Sequence, residues 1–467
     1  MTPATTSTMK IAYLSAGAAG RFCGTCLHDN TLATALTKRG VEILLIPTYT
    51  PLRTDEKSVS QSRIFFGGVN VFLQQKSALF RHTPWFLDSL FDSPRLLDWL
   101  SRRSAGMKVA KLGELTVSTL AGRQGRQRKE IDKLLDWLKR EVQPEIVHVS
   151  NVLMAGIAPA LREGLGVPVV CNLSGEDIFL EQLEAPHYSE ARALLKRQAR
   201  EVDRFIALNN YFADFMAEYL EVERAKIDVI PHGLNLDGHG MRPARGDGEP
   251  REFVIGDFTR VAAEKGLHLL AEAFCLLATR SDLPPLRLKA AGYMSSADRP
   301  YFEKVVARIE SAGLADRFEY AGELDRAGKI AFLQSLDLMC SPTVYHESKG
   351  ISVLEALANG VPVVLPRHGT FPEMIETTGG GILCEPLDPA ALADAIAEMI
   401  RNPQLAADCG RRGYEAIRRL HTADRMAELH MDLYRRMTTE RSGGVASLAA
   451  ANGQPNGVRP TPADNPR

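Results

Sequence analysis

The sequence carries almost no net charge and few cysteines, and it lacks long apolar runs; each shortage removes a class of protein. Lys and Arg number 56 against 57 Asp and Glu, a formal net charge of -1. The chain as a whole therefore generates no positive field that would hold a polyanion, and nucleic acid is not expected as a partner. Seven cysteines in 467 residues are too sparse, and odd in number, for the disulfide framework of a small secreted scaffold. A reducing, cytoplasmic location is expected. No apolar run approaches the roughly 18 residues of a membrane span. The stretch IAYLSAGAAGRFC after Lys10 is too short and too broken by glycine for a leader peptide. No short-period repeat is visible, which sets solenoids and propellers aside.

What remains is ordinary globular material, 45% hydrophobic and 24% charged, enough for two or three domains of about 150 residues with substantial cores. Short apolar or β-branched runs alternate with helical patterns: IAYLS, VEILLIP, EIVHVS, VPVVCNLS, DRFIALN and IDVIPHG. That rhythm predicts an α/β fold with a parallel sheet and crossover helices. It breaks over 236–251, LDGHGMRPARGDGEPR, where Gly, Pro and charge mark a domain boundary. It restarts with FVIGDFTR, LRLKAAG, RFEYAGE, LDLMCSP and PVVLPR, so two α/β domains of similar size are expected, at 9–238 and 252–422, joined by a linker at 239–251. Polar or Gly/Pro-rich ends at 1–8 and 441–467 are expected to be disordered. An insertion at 50–127 precedes a helix expected at 128–142. Within it, WFLDSLF and RLLDWLSRR predict two short amphipathic helices. Residues 79–103 read either as core-packing helices or as an acceptor-side or peripheral membrane-surface patch.

Three segments have residues suited to chemistry. The first strand runs into a loop holding Gly17, Gly20 and Gly24 ahead of a helical stretch, an arrangement that lets backbone approach a ligand and offers a helix N-terminus to a phosphate. A tight structural turn would look the same, and the spacing is neither G-x-G-x-x-G nor a Walker loop. Inside this loop Cys23-Gly24-Thr25-Cys26 has redox-dithiol spacing, and His28 is a third metal-ligand type. No second CxxC or histidine pair completes a zinc site, so two small loop cysteines are the plainer reading. The second segment has Arg260 and Lys265 on either side of a turn before a helix, where two cations can clamp a diphosphate and stabilise charge that grows as a bond to phosphate breaks. A solvated helix start is the alternative. In the third, Tyr345 to Ala356, Glu347 lies in a loop and Glu355 in the following apolar helix, with the amides of Gly350 and Ile351 between them. Carboxylates so placed accept hydrogen bonds from vicinal hydroxyls, one from a ribose and one from a sugar ring.

The run from Glu347 to Glu373, ESKGISVLEALANGVPVVLPRHGTFPE, resembles the signature of family-4 retaining glycosyltransferases of the GT-B fold. FTRVAAEKG, KIDVIPHGLNLD and RFEYAGEL are similar to further elements of that family in the same order. The resemblance covers most of 9–437 and is weakest in the insertion. It implies two Rossmann-like doubly wound domains facing each other across a cleft, and a closing helix at 423–440 that returns to the first domain. It further implies that Arg260 and Lys265 bind the donor diphosphate, that Glu355 binds the ribose, and that Glu347 binds the transferred sugar. Gly350 and Ile351 would approach sugar or phosphate, with Gly20 or Gly24 facing them. The implied reaction is retaining transfer from a UDP-, GDP- or ADP-sugar to a hydroxyl acceptor, whether saccharide, lipid or small molecule, without cofactor or metal. A non-hydrolysing nucleotide-sugar epimerase and a silent nucleotide-sugar binder are the alternatives. The chain departs from the family's pattern where a His-x-His is common. Here His148 is followed by Ser150 and Asn151, so any of the three is a candidate sugar or acceptor contact, and His148 also reads as a core histidine. Ser174 and Gly175 likewise stand where many members carry a histidine before glycine.

Overall fold

The computed structural model describes residues 9–17, 23–61, 112–242 and 252–452, the last eleven as backbone only. Gly20, the patch at 79–103 with its two expected helices, and most of the 239–251 linker lie outside the described residues.

Among the described residues, twelve strands form two six-stranded sheets, parallel throughout. The first contains β1 (Lys10–Ser15), β2 (Glu42–Pro47), β3 (Ile146–Val149), β4 (Val169–Asn172), β5 (Arg204–Ala207) and β6 (Ile227–Val229) in the order β2-β1-β3-β4-β5-β6. The second contains β7 (Phe253–Phe258), β8 (Leu286–Ala291), β9 (Phe318–Tyr320), β10 (Leu338–Cys340), β11 (Val363–Pro366) and β12 (Gly381–Cys384) in the order β12-β11-β10-β7-β8-β9. Each of the eleven runs named from sequence coincides with one of these strands to within a residue or lies over it. The twelfth, Gly381-Ile382-Leu383-Cys384, is an edge strand too short and glycine-rich to stand out.

Parallel sheets are covered on both faces, and strand alternation divides the side chains between them. Along β1, Ala12 and Leu14 enter one core with Val147, Val149 and Phe205. Ile11 and Tyr13 enter the other with Ile146, Val170 and Ile206. That second face is roofed by helix α1 (Gly24–Lys38) and by a C-terminal helix, Ala423–Asn452, whose Met426, Ala427, Leu433 and Tyr434 belong to the same core. This helix runs twelve residues past the expected boundary at 440, through a segment that composition had marked as disordered. In the second sheet, Ile255, Leu288, Leu338 and Val364 face one core and Val254, Met339, Val363 and Leu365 the other. The expected helix at 128–142 is α-helical over Arg128–Trp137 and continues as a π turn over Leu138–Val142.

In each sheet the strand order reverses once, between β1 and β3 and between β7 and β10. At such a point the loops leaving two adjacent strands run to opposite faces and open a crevice at the strand C-termini. The loops after β1, β7 and β10 carry the candidate residues, and they meet.

Candidate functional site between the two sheets

The loop after β7 makes a 3-10 turn over Ala263–Lys265 before helix α2 (Leu267–Ala278). Gly266 ends the turn at φ +81, and a Cβ there would stand 1.8 Å from the Pro342 carbonyl oxygen. Only glycine fits, and the tight turn sets Lys265 against the loop after β10. The Lys265 ammonium lies 2.8 Å from Glu347 Oε2 and also donates to the Tyr345 hydroxyl. Tyr345 in turn donates to the same carboxylate oxygen at 2.5 Å. The other oxygen, Oε1, accepts from the amides of Ser348 (3.1 Å) and Lys349 (3.2 Å). Burial by itself would raise the Glu347 carboxyl, but the Lys265 charge and these hydrogen bonds carry it down to about 2. Arg260 reaches the cleft from the same loop, half-exposed and paired with Glu264.

Gly350, at φ +63, opens a helix, Ile351–Ala358; a Cβ on it would lie 2.5 Å from Met374 Cε. The first amides of this helix border the cleft, as an anion site requires. Glu355 is one turn further on, buried, with Oε1 at 2.5 Å from Lys329 Nζ. Lys329 comes from the helix Arg326–Ser335 and sits equally close, 2.5 Å, to Asp55 of the first domain.

A cleft of about 360 Å³ joins these groups. Its walls include Arg260, Lys265, Glu347, Gly350, Ile351 and Glu355 on one side and Gly24 on the other. All the described donor-site candidates therefore share one cavity. A Cβ on Gly24 would come within 2.9 Å of Ile351 Cδ1, so the two domains touch at the mouth of α1. Polar contacts bridge them on both flanks. Lys349 Nζ meets Thr25 Oγ1 at 2.8 Å, Asn209 donates to the Ser348 carbonyl at 2.7 Å, and Glu373 accepts from the amides of Asn210 (3.0 Å) and Tyr211 (2.9 Å).

His148, Ser150 and Asn151 lie apart from the main cleft. His148 is fully buried, with Nδ1 at 2.6 Å from the Tyr434 hydroxyl and Nε2 at 2.8 Å from Asn172 Oδ1. Both ring nitrogens are occupied, and burial lowers its pKa to about 3. Ser150 is buried with Oγ accepting from the Ala16 amide at 3.1 Å. Asn151 caps the turn Val152–Ile157 by accepting from the Leu153 amide. These partners leave His148 no polar atom directed at the cleft. Ser174 and Gly175 do border it. His28 turns away from Cys23 and Cys26 to meet His232, Nδ1 to Nδ1 at 2.9 Å. Among the described residues no three metal-ligating side chains converge, and no helix is long and apolar enough to cross a membrane.

Sequence reasoning missed Tyr345, Lys329, Lys349 and Asp55. The first stands in the quoted motif without a recognised role. Lys349 stands in it too, its partner Thr25 being in the other domain, and Lys329 and Asp55 arrive from elements whose meeting only the fold reveals.

Two family descriptions match adjoining stretches, Glycosyltransferase Family 4 at residues 114–237 and Glycosyl transferases group 1 at residues 247–416, between them more than half of the chain. Among curated relatives, a phosphatidyl-myo-inositol mannosyltransferase of Mycobacterium leprae is 30% identical over 41% of this chain and 48% of its own length. A 2-deoxystreptamine N-acetyl-D-glucosaminyltransferase of Streptomyces fradiae is 28% identical over 67% of this chain and 76% of its own. The match thus spans about half the length of the first and three quarters of the second. Solved structures share the fold at low identity. Sucrose-phosphate synthase of Thermosynechococcus elongatus gives a TM-score of 0.67 at 16% identity, covering 92% of this chain and 100% of that one. Anabaena HepE in complex with UDP gives 0.61 at 17%, with coverage of 92% and 100%. With the two doubly wound sheets and their shared cleft, these matches place the chain in the group 1, family 4 glycosyltransferases of the GT-B fold.

Proposed function

We propose that the protein transfers a sugar from a nucleotide-diphosphate sugar to a hydroxyl acceptor, with retention at the anomeric carbon. The observation that carries this reading is the convergence of Arg260, Lys265, Glu347 and Glu355 on one cleft at the C-terminal edges of both sheets. Arg260 and Lys265 grip the diphosphate and offset the charge it gains as the glycosidic bond breaks, an interaction stronger in the transition state than before it. Glu355 receives the ribose hydroxyls and Glu347 those of the transferred sugar. Glu347 is a poor general base, because its carboxylate is already held by Lys265, Tyr345 and two amides. The acceptor proton therefore passes to an oxygen of the departing diphosphate, on the face the acceptor approaches, and that geometry gives retention. Support also comes from HepE, a neighbour in fold that was solved with UDP and with UDP-glucose.

Thermal-shift screening against UDP-, GDP- and ADP-sugars identifies the donor, since a ligand that binds only the folded chain raises its melting temperature. With that donor, Arg260→Ala combined with Lys265→Ala should cost on the order of 100-fold or more in turnover. Turnover within a few-fold of wild type would remove the diphosphate clamp.

A further inference from the structure

Cys23 and Cys26 are not used by the reaction above, yet they occupy its cleft. Cys23 is the N-cap of α1, a 15-residue helix, and Cys26 lies in the first turn. Residues three apart at a helix start stand on one face, close enough to be neighbours. Cys23 is partly exposed and lines the main cleft, whereas Cys26 is buried behind it. The charges facing the pair are unequal. On the cleft side stands the Lys349 ammonium, fixed at 2.8 Å from Thr25 Oγ1. On the inner side stands Asp29, bonded to Tyr13 (2.7 Å) and Ser15 (2.5 Å). The remaining five cysteines are all buried.

We propose that Cys23 and Cys26 form a redox-active dithiol inside the donor cleft, with Cys23 the nucleophile, Cys26 the resolving thiol, and disulfides as the class of substrate. The neighbouring Cys26 thiol and the Lys349 charge hold the Cys23 thiol well below the ordinary range against the effect of burial, while Cys26, next to Cys23 and buried, is held well above it. This is the division of labour that exchange needs. The Cys23 thiolate attacks one sulfur of a disulfide RSSR; a Cys23–SR bond forms, the S–S bond breaks, and RS⁻ leaves and takes a proton from solvent. Cys26 then gives up its proton and attacks Cys23 Sγ, forming the Cys23–Cys26 disulfide and releasing a second RSH. The two cysteines are oxidised and RSSR is reduced to two thiols. A group on Cys23, or the internal disulfide at the cap of α1, alters the wall that faces Lys265 and Glu347. That consequence for donor entry rests on the function proposed above; the thiol chemistry does not.

The test uses the full-length protein with oxidised glutathione and iodoacetamide and needs no glycosyl donor. Oxidised glutathione should give a chain lighter by two hydrogens, with the new bond mapped by peptide mass spectrometry to Cys23–Cys26. Cys26→Ser should instead accumulate glutathione on Cys23. Alkylation of Cys23 in the wild-type protein should change less than about three-fold between pH 6 and pH 8, whereas a free thiol gains on the order of fifty- to a hundred-fold over that range. If Cys23 alkylates with the pH dependence of a free thiol, or if neither the internal disulfide nor the mixed disulfide forms, the proposal is overturned, whatever the transfer assay shows.

Discussion

Replacing Lys265 by methionine should separate what its ammonium does for the fold from what it does for a substrate. Burial alone would raise the Glu347 carboxyl, yet Lys265 and its neighbours hold it at about 2, against 4.5 for the free side chain. The difference, about 2.5 pH units at roughly 1.36 kcal/mol each, amounts to about 3 kcal/mol. Allowing for the tenth of the side chain open to solvent, about 2–3 kcal/mol remains. A depressed carboxyl contributes stability that is present above the unfolded value near 4.5 and is lost as pH falls toward 2. Lys265→Met removes the cation and leaves a buried carboxylate beside Tyr345. At pH 7 the variant should lose those 2–3 kcal/mol, about 5–10 °C for a domain of this size. As pH drops and the stranded carboxyl takes a proton, the gap to wild type should narrow. Scanning calorimetry between pH 4 and 8 resolves this for the C-terminal domain. Adding Glu347→Gln should restore most of the melting temperature while sugar transfer stays impaired. A gap that does not vary with pH, or a double variant no more stable than the single one, would refute the pairing.

Gly266→Ala should destabilise the C-terminal domain by more than about 2 kcal/mol, because the new Cβ meets the Pro342 carbonyl at 1.8 Å in a conformation that disfavours side chains; urea unfolding at pH 7 measures it, and a shift within 0.5 kcal/mol, taken as roughly the ordinary surface range, contradicts it. Lys329→Met strands Glu355 and Asp55 together beside the cleft, with an expected loss of about 3–5 kcal/mol that Glu355→Gln in the same chain should partly reverse. Burial holds His148 and His232 near 3 and His430 near 4, below the ordinary 6.5. The unfolded chain therefore takes up protons first. Their contribution is full above pH 6.5 and is lost as pH decreases toward 4, by up to about 1.4 kcal/mol per pH unit for each. Replacing His430 by Gln should therefore flatten the pH dependence of the denaturation midpoint between pH 7 and 5, and an unchanged dependence would oppose this. Tyr434→Phe removes the hydrogen bond to His148 and should cost about 1 kcal/mol with transfer within a few-fold of wild type; a large loss of turnover at unchanged stability would give His148 a role in the reaction.

The sheets were legible because a parallel strand buried on both faces must be apolar at nearly every position, as IAYL of β1 and VVLP of β11 are. β12 escaped since half of its short length is glycine and cysteine. Arg260, Lys265, Glu347 and Glu355 were readable because each pair falls in a single loop-and-helix segment after a strand, so sequence order preserves their neighbourhood. Lys329 and Asp55 were not, being 274 positions apart in the chain and joined only by the domains' approach. His148 looked ambiguous beside Val147 and Val149 for a definite reason. Its ring partners, Asn172 and Tyr434, lie 24 and 286 positions away. The helix past 440 went unrecognised because alanine and glycine there offer no apolar stripe.

The C-terminal helix also sets an order on biosynthesis. A ribosome releases β1 to β6 long before Met426, Ala427, Leu433 and Tyr434 exist, and until they emerge one face of that first sheet has no lid. Leu32, Leu36 and Tyr13 then lie under a half-built roof, and His148 Nδ1 waits for a hydroxyl from the far end of the chain. That face of the amino-terminal sheet therefore completes its packing only once the last helix has emerged.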